Sequence, residues 1–402
     1  MTYQQTVNWM YSRLPMYQKQ GLIAFKAKLD NILLLSSELG NPEKKIKTIH
    51  VAGTNGKGSS CHMLASVLQE AGYKVGLFTS PHLKDFRERI KINGQEVSEQ
   101  FITEFIKKHK DFLEENTLSF FEMTVGMAFS YFEENKVDIA IIEVGLGGRL
   151  DSTNIITPEV SLITNIGLGH TDILGDTLQK IAFEKAGIIK PHVPVVVSEY
   201  QEEVYPVFKE VATQNHSELI LGSHKQSTYK TDLLGSYQSA NIKGVLAVLE
   251  VLKGFQATGE NIKNGLLNVV QNTGLKGRWQ LLNNKPKVIA DTAHNREGLQ
   301  IVLKQIENEE YKQLHVVLGF VKEKKLENIL PLFPKDAKYY FCSPKIDRGL
   351  GVEKLFEGAT KFGLNGVVYN SVSEAYNAAL LNSDEDDFIY IGGSTFVVAE
   401  II

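Results

Sequence analysis

The chain has 402 residues, 43% of them hydrophobic and 22% charged, with a formal net charge of -4 and both signs interspersed along its length. At roughly 100 to 200 residues per domain this supplies a core for each of two domains. It excludes a disordered chain, and it excludes a basic binder of nucleic acid or anionic membrane. The two cysteines, Cys61 and Cys342, lie far apart and outside any CxxC pair, which excludes a disulfide framework and a cysteine zinc site and fits a reducing compartment. The start, Met1 to Thr6, lacks the basic and apolar runs of a signal peptide, and no charge-poor stretch reaches the roughly 20 residues a bilayer requires. A cytoplasmic protein with no membrane and no nucleic-acid partner is expected.

From Ile46 to about Val197 short apolar runs alternate with amphipathic helical stretches, the pattern of a parallel sheet wrapped by helices. Strands are predicted at Lys47 to Ala52, Lys74 to Phe78, Asp138 to Glu143, Val160 to Thr164 and Val193 to Ser198. A helix is predicted from Ser59 to Ala71, stopped by Gly72. After the polar segment Ser223 to Leu234 come helical patterns over Tyr237 to Leu252 and Glu260 to Val270. A boundary is placed at Asn272-Thr273-Gly274, dividing the chain into 1–274 and 275–402. Beyond it a hairpin, Arg278 to Leu282 and Lys287 to Ala290, turns through Asn283 to Pro286. Strands at Leu314 to Leu318, Lys338 to Cys342, Gly366 to Tyr369 and Phe388 to Gly392, with helices between them, complete the pattern. The expected fold is α/β, a P-loop-containing, doubly wound, mostly parallel sheet domain followed by a smaller Rossmann-like α/β domain.

The sharpest local signal is Gly53-Thr54-Asn55-Gly56-Lys57-Gly58-Ser59, between a predicted strand and a predicted helix. Glycines let backbone N–H groups converge on phosphate oxygens, the helix N-terminus adds partial positive charge, and Lys57 adds a full one. The strict G-x-x-x-x-G-K-[ST] spacing is not met, because Gly58 intervenes between Lys57 and Ser59. In doubly wound sheets ligands collect at the carboxyl ends of strands. Three such ends carry donors, Ser80, Glu143 and His170, a hydroxyl, a carboxylate and an imidazole for a Mg²⁺ ion that completes its shell with water and phosphate oxygens. Taken singly, Ser80 also reads as a turn residue before Pro81 and His170 as a solvated loop histidine, whereas a carboxylate ending the apolar run before Glu143 needs a partner if buried.

These residues resemble a known family. Ile49 to Ser59, then Gly76 to Leu83 with Thr79-Ser80-Pro81-His82, then Glu143-Val144-Gly145-Leu146-Gly147-Gly148-Arg149-Leu150-Asp151-Ser152-Thr153-Asn154, then Leu174 to Thr177 and Ile181 to Ile188 occur in the order found in the folylpolyglutamate/dihydrofolate synthases. The sister Mur ligases share the phosphate loop but usually place Thr or Ser directly after the lysine. The second domain matches more loosely: Thr292 stands in Asp291-Thr292-Ala293-His294-Asn295 where the family usually has Gly, Gly277-Arg278 is followed by Trp279-Gln280, and the ending Gly392-Gly393-Ser394-Thr395 is a variant.

The resemblance implies a role for each matching residue. Thr54, Asn55, Gly56, Lys57, Gly58 and Ser59 would hold the triphosphate, and Asn241, Arg278 and Asp291 would bind nucleotide. Ser80, Glu143 and His170 would bind Mg²⁺. Lys185 would be carbamylated and support a second Mg²⁺, although on the residues alone it reads as an exposed helix lysine. Phe121 and Glu122 would form part of a pterin pocket, Phe121 reading equally as a core aromatic. Arg149 and Asp151 are carried over as substrate-binding residues, and His294 would help position the phosphoryl group or the amine. The implied catalyst is an ATP-dependent ligase using ATP and Mg²⁺ to join L-glutamate to dihydropteroate or a folate, acting as a monomer, with Lys57, Lys185 and His294 as its catalytic residues. A Mur-type ligase acting on a UDP-sugar, a metabolite kinase and a non-catalytic nucleotide switch are the alternatives.

Overall fold

The computed structural model describes residues 1–15 and 28–402, which fall into two compact units: residues 1–232 with 238–274, and residues 233–237 with 275–402. Among the described residues no helix is long and apolar enough to cross a membrane.

The first unit is built on an eight-stranded sheet in the order β4-β3-β2-β5-β1-β6-β7-β8. Its strands are β1 (Thr48–Ala52), β2 (Val75–Phe78), β3 (Ile90–Ile92), β4 (Gln95–Glu96), β5 (Ile139–Glu143), β6 (Val160–Ile163), β7 (Val195–Val197) and β8 (Leu219–Leu221). β2, β5, β1, β6, β7 and β8 run parallel, while β3 and β4 add an antiparallel ribbon at one edge. The residues of β1, β2, β5 and β6 are buried throughout. Helices cover both faces of such a sheet, so its strands read as continuous apolar runs without alternation. The chain leaves β1 toward β2 on one side and later returns to β6 on the other. The carboxyl end of β1 is therefore the switch point, where a crevice opens between diverging connections.

The second unit carries a six-stranded sheet in the order β13-β12-β11-β14-β10-β9. It comprises β9 (Gln280–Asn284), β10 (Lys287–Ala290), β11 (Leu314–Leu318), β12 (Lys338–Phe341), β13 (Gly366–Val368) and β14 (Phe388–Gly392). Only the β9–β10 hairpin is antiparallel.

Several elements differ from expectation. The phosphate-loop helix spans Lys57–Glu70, two residues earlier than expected, because Gly56 at φ 84° ends the loop in a left-handed conformation and the chain turns helical at once. The single helix expected over Glu260 to Val270 is two, Gly259–Leu267 and Val269–Thr273, separated by Asn268 at φ -124°. The hairpin begins at Gln280, since Gly277 and Trp279 both have positive φ and cannot extend a strand. The helices Tyr3–Arg13 and Asp30–Glu38 and the β3–β4 ribbon were not anticipated. Their pairs are short or their apolar stripes incomplete, and it is burial of Trp9, Met10, Ile32 and Leu35 on the helices and of Ile90 and Ile92 on the ribbon that defines them.

Candidate active site at the carboxyl edges of the sheets

β1 delivers Gly53 directly into the loop. Gly53 has φ 145°, and a β-carbon there would overlap the hydroxyl of Thr164, so the loop approaches the end of β6 as closely as backbone permits. That contact is then laced by hydrogen bonds. Thr54 N donates to the Asn165 carbonyl at 2.8 Å, Asn55 N to Asn165 Oδ1 at 3.0 Å, and the Thr164 hydroxyl to the Asn55 carbonyl at 2.6 Å. The Thr54 hydroxyl exchanges bonds with Gly167, accepting from its N–H at 2.9 Å and donating to its carbonyl at 3.3 Å. Asn165 is in turn held by Glu199 at 3.0 Å. Backbone N–H groups of Thr54 and Asn55 are thus committed to the fold, and the anion-facing donors belong to the helix that follows. The first turn of Lys57–Glu70 has no acceptor within the helix for its N–H groups and no capping side chain, the arrangement that receives phosphate oxygens. Gln238 and Asn241 buttress it from below: Asn241 Nδ2 donates to Gln238 Oε1 at 2.8 Å and Gln238 Nε2 to the Ser59 hydroxyl at 3.2 Å, while Asn241 sits where a β-carbon on Gly56 would go.

Two lysines converge on one carbonyl. Lys57 Nζ donates to Gly53 O at 2.9 Å and to Thr54 O at 3.3 Å, and Lys185 Nζ donates to the same Gly53 O at 2.9 Å. Lys185 is 5% exposed, which overturns the reading of it as a surface lysine. Burial, reinforced by the charge of Lys57 and opposed by Asp151, pushes its pKa well below the ordinary lysine value.

Glu143 ends β5 and pairs in register with Val51 of β1, so its carboxylate stands beside the root of the loop. It is buried, and Oε2 accepts the Ser80 N–H at 3.1 Å. Ser80 therefore meets Glu143 through its backbone. The charges of both Glu143 and Lys57 reach the buried Cys61 thiol, which burial itself pushes up. His170 is exposed and opens the turn Thr171–Leu174 in a left-handed conformation. Among the described residues no three His, Cys, Asp or Glu side chains form a metal cage. One carboxylate beside a phosphate loop nevertheless suits Mg²⁺, which keeps water and phosphate oxygens in its shell, so the residues fit that ion and ATP.

Other expected residues have structural duties. Glu122 is buried and its Oε2 accepts the Ser119 N–H at 2.7 Å, closing a capping box on the helix Phe120–Glu134. Phe121 fills the space against Gly145 and lies 6.1 Å from the Phe78 ring. Arg149 pairs with Glu184 at 2.8 Å. Asp151 accepts from Leu146 N at 2.8 Å, Thr153 N at 3.0 Å and the Thr153 hydroxyl at 2.5 Å, shaping the turn after β5. The buried Arg89, not foreseen from the sequence, donates from Nε to His82 Nδ1 at 2.7 Å, and its charge reaches Glu143.

In the second unit Asp291 follows β10 and is buried. Its carboxylate accepts from the Tyr237 hydroxyl at 2.8 Å, Trp279 N at 2.6 Å and Ala293 N at 2.8 Å, and burial outweighs the Arg278 charge to push its pKa up. Arg278 donates to the Thr292 hydroxyl, and His294 Nδ1 donates to the Thr292 carbonyl at 3.0 Å, so Thr292 links these two side chains. Thr164, Asn165 and Gln238 also escaped the sequence reading. For Thr164 and Asn165 a polar pair ending an apolar run was the signal, and it does not say which loop they grip.

Residues 51–249 match the Mur ligase middle domain and residues 277–395 the Mur ligase glutamate ligase domain. The dihydrofolate synthase/folylpolyglutamate synthase of Bacillus subtilis (strain 168) is 36% identical over 363 residues, 82% of either chain. The chain belongs to the dihydrofolate synthase/folylpolyglutamate synthase family. A probable bifunctional folylpolyglutamate synthase/dihydropteroate synthase of Haloferax volcanii is 30% identical over all of this chain, which spans 50% of that longer relative. Among solved members of the family, Escherichia coli FolC in complex with DHPP and ADP superposes with a TM-score of 0.89 at 27% identity, over 100% of this chain and 97% of that one. A bifunctional folylpolyglutamate synthase/dihydrofolate synthase with Mn, AMPPNP and L-glutamate bound gives 0.87 at 27% identity, over 100% and 97%.

Proposed function

We propose that this protein is an ATP-dependent ligase that adds L-glutamate to dihydropteroate, to the γ-carboxylate of a folate, or to both, through an acyl phosphate. A cytoplasmic monomer with two Mg²⁺ ions at the site belongs to the same reading. The observation that carries it is the pair Lys57 and Lys185 on the Gly53 carbonyl at the open N-terminus of the phosphate-loop helix, with Glu143 ending the strand that pairs with β1. The ligands of the related solved structures, nucleotide, manganese, L-glutamate and DHPP, support the choice of substrates.

A carboxylate resists attack by an amine because its charge is delocalised and its leaving group is poor. Transfer of the γ-phosphoryl group makes it an electrophile with phosphate as leaving group, and the glutamate amine then attacks through a tetrahedral intermediate. Lys57 and the N–H groups of its helix hold the phosphates and spread the charge of the transferring group. Thr54, Asn55, Gly56, Gly58 and Ser59 shape that cradle, with Asn241 beneath it, and Arg278 and Asp291 are the proposed nucleotide-binding residues of the second unit. Glu143, with Ser80 and His170, would hold Mg²⁺, which when bound neutralises phosphate charge. Phe121, Glu122, Arg149 and Asp151 would line or shape the acceptor side, and His294 would orient the amine.

Lys185 carries the second part of the proposal. Its amine is buried and biased toward the neutral form. The Nζ lone pair attacks the carbon of CO₂, one C=O electron pair moves to oxygen, and the nitrogen releases a proton to solvent, leaving a carbamate anion that would support a second Mg²⁺.

The test is ADP release from the purified protein with ATP, Mg²⁺ and glutamate, with and without dihydropteroate or tetrahydrofolate. Turnover requiring both glutamate and a pteroate is expected. Turnover with a UDP-sugar acceptor, ADP release without an amine, or nucleotide binding without turnover would each replace the reading.

A further inference from the structure

The loop 147–154 and the end of the helix Leu178–Ala186 meet backbone to backbone. A β-carbon on Gly148 would lie 2.8 Å from the Glu184 carbonyl and 3.1 Å from the Lys185 Cα, and one on Gly187 would overlap the Arg149 backbone. Arg149 N donates to the Glu184 carbonyl at 2.7 Å. One buried side chain joins the two sides of this seam: Asn154 Nδ2 donates to the Arg149 carbonyl at 3.0 Å and to the Gly187 carbonyl at 2.9 Å, using both of its N–H groups. The Asn154 carbonyl accepts from Lys190 Nζ at 2.8 Å, tying the segment beyond Gly187 to the same point. Asn154 Oδ1 is buried with no hydrogen-bond partner. The amide is therefore oriented by its two donors alone, since turning it over would set an oxygen against two carbonyl oxygens.

Lys185 lies inside this seam, two residues before Gly187 and one after Glu184. Its Nζ reaches Gly53 O at 2.9 Å with the helix end pressed onto the loop. We propose that Asn154 is a positioning residue for the reaction, holding the Lys185 backbone so that its side chain is presented at the phosphate loop in the geometry that carries the carbamate. The inference rests on the carbamate reading of Lys185. A backbone seam transmits position because neither side has side-chain slack: if Arg149 and Gly187 part, the Lys185 Cα moves with them.

Carbamate on Lys185 is read directly by chemical trapping of the carbamate as its ester and mass spectrometry, as a function of bicarbonate concentration, alongside glutamate-dependent turnover and the KM for ATP. In Asn154→Ala the bicarbonate concentration giving half-maximal carbamate and turnover rises about tenfold, while the KM for ATP changes less than twofold and excess bicarbonate restores most of kcat. Gly187→Ala, which wedges the seam from its other side, shows the same shift and serves if Asn154→Ala does not fold. Carbamate present in the wild type with an unshifted bicarbonate dependence in a folded variant overturns the inference alone, as does a loss of kcat that bicarbonate cannot restore. A wild type that never carries carbamate overturns the reading of Lys185 itself, and the inference with it.

Discussion

Among single residues, the carboxyl edge of the first sheet is dominated by charges that the fold keeps close and dry. Lys57 reaches two loop carbonyls at the start of the helix, so Lys57→Ala should lower kcat by roughly 100- to 1000-fold, the scale of losing one charged stabiliser of a transition state. Cooperative unfolding of that variant should stay unchanged by circular dichroism, and near-wild-type turnover would contradict the assignment. Glu143→Gln keeps its shape and can still face the Ser80 N–H, but removes the charge that attracts a cation. A Mg²⁺ titration of the rate should therefore shift to higher concentration by about tenfold, with the KM for folate little altered; an unmoved curve removes Glu143 from the ion. Lys185→Arg stays cationic and cannot form a carbamate, so it should lose most activity. Full activity with normal Mg²⁺ dependence would end the carbamate proposal.

For the elements, the informative case is the join between β1, its loop and β6. Gly53 occupies a backbone region closed to other residues and abuts Thr164. Gly53→Ala should cost about 1–3 kcal/mol in strain alone and displace the carbonyl that both lysines share. The expected result is a lower urea midpoint together with loss of nucleotide binding by isothermal titration calorimetry. A midpoint and affinity equal to wild type would show that the loop relaxes freely. Thr164 and Asn165 carry the other side of this join, which explains why the Thr54–Ser59 motif was visible in one dimension while its support was not.

For the whole molecule, pH sensitivity follows from two histidines of the first unit, His50 buried and His82 half-buried. Burial, with Lys190 nearby, pushes His50 down to about 3, and burial with Arg89 does the same to His82. An unfolded histidine titrates near 6.5. Below that pH the unfolded chain takes up protons that the folded unit refuses, so stability is lost as pH falls from about 6.5 toward 3, at about 1.4 kcal/mol per pH unit for each of these histidines. Asp151, whose carboxyl burial pushes up, acts with the opposite sign, and a difference between variants removes its share. The chain has two tryptophans, Trp9 in the first unit and Trp279 in the second, so a Trp279→Phe background leaves fluorescence reporting the first unit alone. In that background His82→Gln, which keeps an acceptor for Arg89, should lose about 1 kcal/mol less than the parent between pH 7.5 and 5.5 in urea unfolding. Equal losses would refute the assignment.

Apolar runs broken by Gly, Asn and Asp, and the order of Thr54–Ser59, Thr79–His82 and Glu143–Asn154, were enough by themselves to establish an α/β fold, the central strands and the family. Period and turn chemistry are local properties, written wherever a strand is buried on both faces or a loop must approach a phosphate. Tertiary structure alone decided that Lys185 is buried against Gly53. It also decided that Arg149 is held by Glu184, 35 residues further along the chain, and that Asn154 reaches the carbonyl of Gly187, 33 residues beyond it. Hydrogen-bond partners and burial depend on which chain segments the parallel crossovers set side by side. No single segment carries that information.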